Sequence, residues 1–451
     1  MALCLSVTSC GLYKPYSREV ETSLPADIET STPIRWQDVF ADPQLQALIE
    51  KALTRNTDLA AAQLRLQEAE ATLKTARLGL LPSVNASANA TTADFTSVSS
   101  SLEGLASWQL DIFAAKTNAT RKARAAWQES EDYVHAVHTQ LIARVAELYY
   151  TLALLREQRA VTAESSALWE QTIEKTRAMK EAGMVTDAAL AQYEATYWST
   201  VASLADYDKN LRMTENSLRS LLLLSPLSAD GEETIIPSAT FGTTEAEAPV
   251  DVARALHGTT MTLLLSDDQY GVQLAQLAAR PDVRMAEEQL MQAYYDVAIA
   301  RASLYPSVTL TGNARTLSFE SIATQLAGAL SMPLFNAGSN RAKVTIAKAK
   351  REEARGHFEQ TLCDAALEVD DVVNKLGTAQ AKSESLAAQV TSLERAVEST
   401  GYLMEYGTSN TTYLDVLTAR RSLLSAQLSQ LSNRYDELAS LIALYQALGG
   451  E

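Results

Sequence analysis

Few side chains in this 451-residue chain stand at spacings that chemistry would use. His135 and His138, with Glu131 one turn earlier, could share a metal ion on one helix face. Solvated histidines are the commoner outcome on a long acidic helix, and no metal site is expected. Cys363 stands alone on a predicted helix, so a nucleophile is not expected there. Glu352-Glu353 and Glu368-Val369-Asp370-Asp371 read as solvated helix faces. There is no phosphate-cradling glycine loop, nucleophile elbow or zinc signature. The expectation is a protein without catalytic residues or cofactors, not an enzyme.

The N-terminus offers a covalent modification instead. Met1–Ser9 is apolar and small, like the end of a truncated lipoprotein leader (1–9). Val7-Thr8-Ser9-Cys10 resembles a bacterial lipobox, in which Cys10 becomes the lipidated first residue; the alternative is a buried or free cysteine. Residues 10–40, with Pro15, Pro25 and Pro33, read as an extended N-terminal strap.

Composition constrains the elements that follow. Lys plus Arg is 38 and Asp plus Glu 55, a net charge of −17, which lacks the electrostatic footprint of nucleic-acid binding. Glycine (17) and proline (11) are scarce and helix formers abundant, so long helices are expected. An aromatic share of 6% argues against one large globular core, and three cysteines exclude a disulfide framework. No apolar run is long enough for a transmembrane helix.

The strongest pattern is a duplication. Residues 76–89, ARLGLLPSVNASAN, match 300–313, ARASLYPSVTLTGN, with Pro82 on Pro306, an offset of 306 − 82 = 224. Ile112-Phe113 through Asn118 pairs with Leu334-Phe335 through Asn340 at an offset of 222, and Gly183 pairs with Gly407 at 224. The repeats span 41–223 and 259–451, separated by a segment at 224–258 rich in turn residues. In each, a helix (roughly 58–81 and 282–304) stops at a proline, and the period changes from 3.6 to 2. Strands are expected near 83–92 and 102–113, and near 307–316 and 324–334. Val84, Ala86 and Ala88 oppose Ser83, Asn85 and Ser87. Leu102, Leu105, Ala106, Trp108, Leu110 and Ile112 oppose Ser107, Gln109 and Asp111. The second half alternates likewise, through Val308 and Leu310, then Leu326, Leu330, Met332 and Leu334. Such lengths cross a bilayer at a tilt. The polar face is Ser, Thr and Asn rather than the Lys and Glu of a water-facing sheet. Four strands cannot close a barrel, so a membrane-spanning reading requires an oligomer; three copies give twelve strands. Very long helices follow, with heptads at Leu141, Val145, Leu148, Leu152 and Leu155, and from Leu424 to Tyr445.

In this order the motifs resemble an outer-membrane factor of the TolC/OprM type, lipoprotein branch. The resemblance rests on the lipobox, Trp36-Gln37-Asp38-Val39-Phe40, Leu45–Asn56, the doubled helix–Pro–strand–strand–helix plan, Met332–Gly338 and the ending Leu444–Gly450. It implies a mainly α fold with a membrane β-barrel: a homotrimer with a 12-stranded β-barrel in the outer membrane above a coiled-coil α-barrel in the periplasm. An equatorial belt near 36–54 and 225–258 is implied as well. The implied function is the exit duct of a tripartite efflux pump for drugs or other small toxic compounds. The duct is opened by a periplasmic adaptor protein and an inner-membrane transporter, RND type favoured over an ABC exporter. A soluble coiled-coil scaffold is the alternative from another class. The resemblance also assigns sites. Gly183, Met184 and Val185, with Gly407 and Thr408, fall on tips where an adaptor hairpin docks. Leu414, Asp415 and Thr418 fall where relatives constrict the periplasmic aperture, and three Asp415 carboxylates would form a cation-favouring ring. Thr418 departs from a frequent second Asp, and Gly407–Ala419 is about two residues longer than usual.

Overall fold

The computed structural model describes residues 14–17, 34–93, 97–224, 235–239, 277–318, 321–331, 338–406 and 412–450. Residues 1–9 and Cys10, 18–33, most of 224–258, Met332, Leu334, Gly407 and Thr408 lie outside the described residues. Eight helices and four strands are described: α1 (Trp36–Val39), α2 (Pro43–Arg55), α3 (Thr57–Leu78), β1 (Ser83–Ala93), β2 (Ser97–Leu110), α4 (Ala115–Glu181) and α5 (Asp187–Leu221). The second half holds α6 (Pro281–Ala302), β3 (Ser307–Ser318), β4 (Ser321–Ser331), α7 (Ser339–Tyr406) and α8 (Tyr413–Ala447).

Asn56 starts α3 by accepting the backbone N–H groups of Asp58 and Leu59 at 2.9 and 3.1 Å. α3 and α6 each end four residues before their proline, at Leu78 and Ala302. The orphan carbonyls at the end of α3 are satisfied from later elements. Trp108 Nε1 donates to Leu80 O (3.0 Å), Lys116 Nζ to Gly79 O (2.7 Å) and Thr120 Oγ1 to Ala76 O (3.1 Å). α4, 67 residues long, runs about 100 Å at about 1.5 Å per residue. Asp111 caps it, accepting from Lys116 N and Thr117 N.

The four strands form one antiparallel sheet in the order β1-β2-β3-β4. Its register decides the faces, because directly opposed residues share a face. Val84 pairs with Ala106, which pairs with Gly312, which pairs with Leu326. Ala88 meets Leu102, Trp108 meets Leu310, and Val308 meets Leu330. One face is thus apolar or small almost throughout. The other carries Ser83, Asn85, Ser87, Ser107, Gln109, Thr309, Thr311 and Asn313. Leu105 corrects the sequence expectation: it opposes Asn85 and Asn313 and belongs to the polar face. β2 begins at Ser97, not near 102, because Ser97–Ser101 has no apolar alternation yet still pairs with β1 as far as Ala93↔Ser97. It stops at Leu110 because Asp111 is occupied in capping α4. β4 is described as far as Ser331, and its expected end near 334 lies outside the described residues.

The repeat offset is also corrected. The left-handed residues Ala114 and Gly338 lie 338 − 114 = 224 apart, as do the starts of α4 and α7, so no two-residue slip occurs there. The extra two residues fall at the second tip, since α5 and α8 start 413 − 187 = 226 apart.

Packing divides the chain across the repeats. The described residues of one unit fall within 14–17, 61–136 and 277–364; those of the other fall within 34–60, 137–239 and 365–450. The first unit holds the sheet. In the second, Phe40, Leu45, Ile49, Tyr149, Tyr150, Leu152, Leu218 and Tyr445 are fully buried. Phe40 meets Tyr445 edge-on at 5.6 Å. The two segments expected to form a belt meet here. Asp42 and Gln44 of α2 bond Ser238, and Tyr149 OH donates to Asp42 Oδ2 at 2.5 Å. α8 ends in paired Gly449 and Gly450. Gly450 N donates to Tyr445 O, and a Cβ at Gly450 would lie within the Tyr445 ring.

Candidate functional site

The first tip joins α4 to α5. Gly183 adopts φ +73°, Met184 N donates to Met179 O and Gly183 N to Lys180 O, both at 2.9 Å. This is a Schellman turn, which satisfies the last carbonyls of α4 and suits a residue without Cβ. Nothing lies within 4 Å of where a Gly183 Cβ would be, and Met184 is 66% exposed, with Val185 half-buried. Thr186 then starts α5, accepting from Ala189 N at 3.3 Å. Below the turn the hairpin is stapled by Lys180–Asp187, Arg177–Glu194 (3.1 Å) and Arg159–Asp208 (2.5 Å). The second tip, with Gly407 and Thr408, is outside the described residues.

The start of α8 carries Leu414, Asp415 and Thr418, the three positions expected at the aperture, on one exposed face. Leu414 is 49% exposed, and Asp415 and Thr418 are exposed. Thr418 Oγ1 donates to Leu414 O at 2.7 Å. Val416 and Leu417 turn inward, Leu417 into a cluster with Trp169, Ile173, Leu190 and Tyr193. Asp415 also caps its own helix, with Thr412 N and Thr412 Oγ1 both donating to its Oδ2 at 2.8 Å. The backbone bond first, then the hydroxyl bond, holds its carboxyl below the usual range, so it stays charged.

Three residues that sequence reasoning left without a role hold this segment in place. Tyr193 OH donates to Tyr413 O at 2.7 Å, tying α5 to the start of α8. Arg420 Nη1 donates to Leu168 O (3.1 Å) and Thr172 Oγ1 (2.6 Å) on α4, and its guanidinium lies 5.8 Å from the Trp169 ring centre. Arg420 Nε is buried without a hydrogen-bond partner. Burial lowers the Arg420 pKa from its ordinary value and pushes the Tyr193 phenol up to about 12. A cation on the helix stripe that also presents Val416, Leu417 and Leu424 was the available signal. Among the described residues no cluster of three His, Cys, Asp or Glu could hold a metal, and Cys363 is exposed and free.

The arrangement offers a helix hairpin with an open tip, a helix start presenting a charged face, and a sheet with one apolar face. The outer membrane efflux protein family matches residues 48–222 and 272–450. The chain belongs to that family. The probable outer membrane lipoprotein SilC of Salmonella typhimurium is 28% identical, covering 95% of this chain and 91% of that protein. The cation efflux system protein CusC of Escherichia coli K12 is 27% identical over 99% and 98% of the two chains. The toluene efflux pump outer membrane protein TtgC of Pseudomonas putida is 28% identical over 92% and 84%. Among solved structures, CusC superposes with a TM-score of 0.81 at 24% identity, over 97% of this chain and 99% of that one. VceC of Vibrio cholerae gives 0.76 at 23%, over 92% and 98%. Family membership makes this an outer-membrane efflux protein, and the apolar sheet face is the surface such a location requires.

Proposed function

We propose that the protein is the passive outer-membrane exit duct of a tripartite pump, working as a homotrimer. The observation that carries this is the register of the sheet. The strands put apolar or small side chains on one face, β1, β2 and β3 put mainly polar ones on the other, and β1 and β4 are left as outer edges. Open edges cannot stand in lipid, so copies must pair edge to edge; three copies close twelve strands around a polar lumen. A lipidated Cys10 adds a second anchor in the outer membrane lipid.

The helices below the barrel conduct and the start of α8 gates. Leu414, Asp415 and Thr418 of three copies ring the aperture, and Asp415 gives the ring its negative charge. The Arg420 bonds to α4 and the Tyr193 bond to Tyr413 hold the ring in its resting place. Gly183, Met184 and Val185, with Gly407 and Thr408, receive the hairpin of a periplasmic adaptor. The open space at Gly183 supports that docking. An inner-membrane RND transporter drives export, and the cargo is drugs or other small toxic compounds. The test is reconstitution in planar bilayers. Discrete, cation-preferring conductance steps blocked by multivalent cations are expected; a protein that inserts without conducting contradicts the reading.

A further inference from the structure

The unit that holds the sheet contains an acidic contact that transport through a lumen does not use. α6 lies against α4 through Arg284, whose Nη2 is 2.9 Å from Asp132 Oδ1, and the Asp132 side chain is 3% exposed. Further along, Gln289 and Gln292 of α6 donate to the two oxygens of Glu129, at 2.8 and 2.6 Å. Between these contacts sits Glu288, one turn after Arg284. Its Oε2 is buried and accepts no hydrogen bond among the described residues. The charged and titratable groups around the pair are Arg284 and Glu287 on α6, and Glu129, Glu131 and His135 on α4. α3 contributes Arg65, whose Nη1 donates to Tyr133 OH at 3.0 Å.

We propose that Asp132 and Glu288 form a proton-holding carboxyl pair that seats α6 on α4 while protonated and loosens that seat when it ionises. One arginine serves two carboxyls, and Arg284 is engaged with Asp132. Glu129 has both oxygens occupied by amides. An ionised Glu288 would therefore have no donor to replace water at its buried Oε2, and the neutral acid is the form this contact accommodates. Burial pushes Asp132 up to about 6, against the pull of Arg284 and His135. Burial pushes Glu288 up to about 7, with the Asp132, Glu287 and Glu129 charges adding and Arg284 opposing. Interacting carboxyls titrate as a pair, so one proton is held well above the usual carboxylate range. Both pKa values are raised in the fold, so the stabilisation is full below the ordinary carboxyl range and is lost as pH rises through about 6 to 7. α6 ends at Ala302 and β3 begins at Ser307, so a looser α6 is felt next at the sheet.

The test uses the full-length protein in detergent. Infrared difference spectra between acidic and alkaline pH should show the carbonyl stretch of protonated carboxyls fading in two components, and Glu288→Gln should remove the one with a midpoint near 7 and leave the Asp132 component near 6. Thermal unfolding should move to lower temperature from pH 5 to 8 in the wild type and in the exposed control Glu131→Gln, and fall less in Glu288→Gln, where Asp132 alone of the pair still titrates in this range. If Glu288→Gln does not fold, Asp132→Asn serves: removing the neighbouring charge should shift the band's midpoint towards the ordinary carboxyl range. A component near 7 that survives Glu288→Gln, a pH slope that Glu288→Gln leaves intact, or a midpoint indifferent to Asp132→Asn overturns the proposal.

Discussion

Replacing Arg420 by Met keeps an unbranched side chain beside Trp169 and removes every donor. Two charge-assisted bonds are lost, to Leu168 O and Thr172 Oγ1, together with the cation–π contact at 5.8 Å. Hydrogen bonds to a charged group contribute about 1.5–3 kcal/mol each, and the ring contact about 1 kcal/mol. Against this, the substitution relieves the buried Nε that has no partner, a cost of about 1–3 kcal/mol, along with side-chain ordering. The net loss is about 2 kcal/mol per protomer. At about 1.4 kcal/mol per tenfold, the closed-to-open ratio falls ~30-fold if one latch controls the aperture. It falls ~10⁴-fold if three release together. Single-channel recording in planar bilayers reads this as lengthened open time at unchanged maximal conductance. The exposed neighbour Arg421→Met is the control and should leave gating unaltered. Wild-type open times in Arg420→Met, with the protein still folded and trimeric, would refute the latch.

Three further outcomes follow from the same geometry. Leu326 is 86% exposed on the apolar face, so Leu326→Arg should cost about 2–4 kcal/mol in lipid and block membrane assembly. Asn85→Arg, on the opposite face, should assemble normally in the same heat-modifiability gel assay. Asp415→Asn should raise conductance and weaken block by multivalent cations. Because the wild-type carboxyl is held below its ordinary pKa, block should persist unchanged from pH 8 down to about 5 and fade only in stronger acid. Met184→Glu should weaken adaptor binding, measured by calorimetry with the purified adaptor, while conductance stays at the wild-type value.

Much of the fold was legible because it rests on local rules. Pro82 and Pro306 marked where helix gives way to strand, and the alternation after them marked the faces. The duplication fixed the order of elements twice. What escaped has physical reasons. Ser97–Ser101 carries no apolar period, so the start of β2 comes from pairing with β1, not from its own pattern. Leu105 looked like a member of the apolar stripe, yet sits two residues from Ser107 and therefore on the same face. The heptads at Leu141–Leu155 read as a coiled-coil register. There Ile142, Ala146, Tyr149, Tyr150 and Ala153 are also buried, so that part of α4 is covered on several sides. Leu414, Asp415 and Thr418, the positions proposed for the aperture, share an exposed face by helix geometry alone. Trp169, Tyr193 and Arg420 come from three helices, 220 residues or more separating Tyr193 and Arg420 from their partners, and the one local signal, a cation on an apolar stripe, does not name those partners.

The central claim is that three sheets close into one barrel. The most direct measurement is the mass of the full-length protein purified in detergent, by light scattering with the detergent contribution subtracted. Three times 48.9 kDa, maintained on dilution, is the expected result. A monomer or dimer that is indifferent to detergent would leave β1 and β4 unpaired and contradict the conduit.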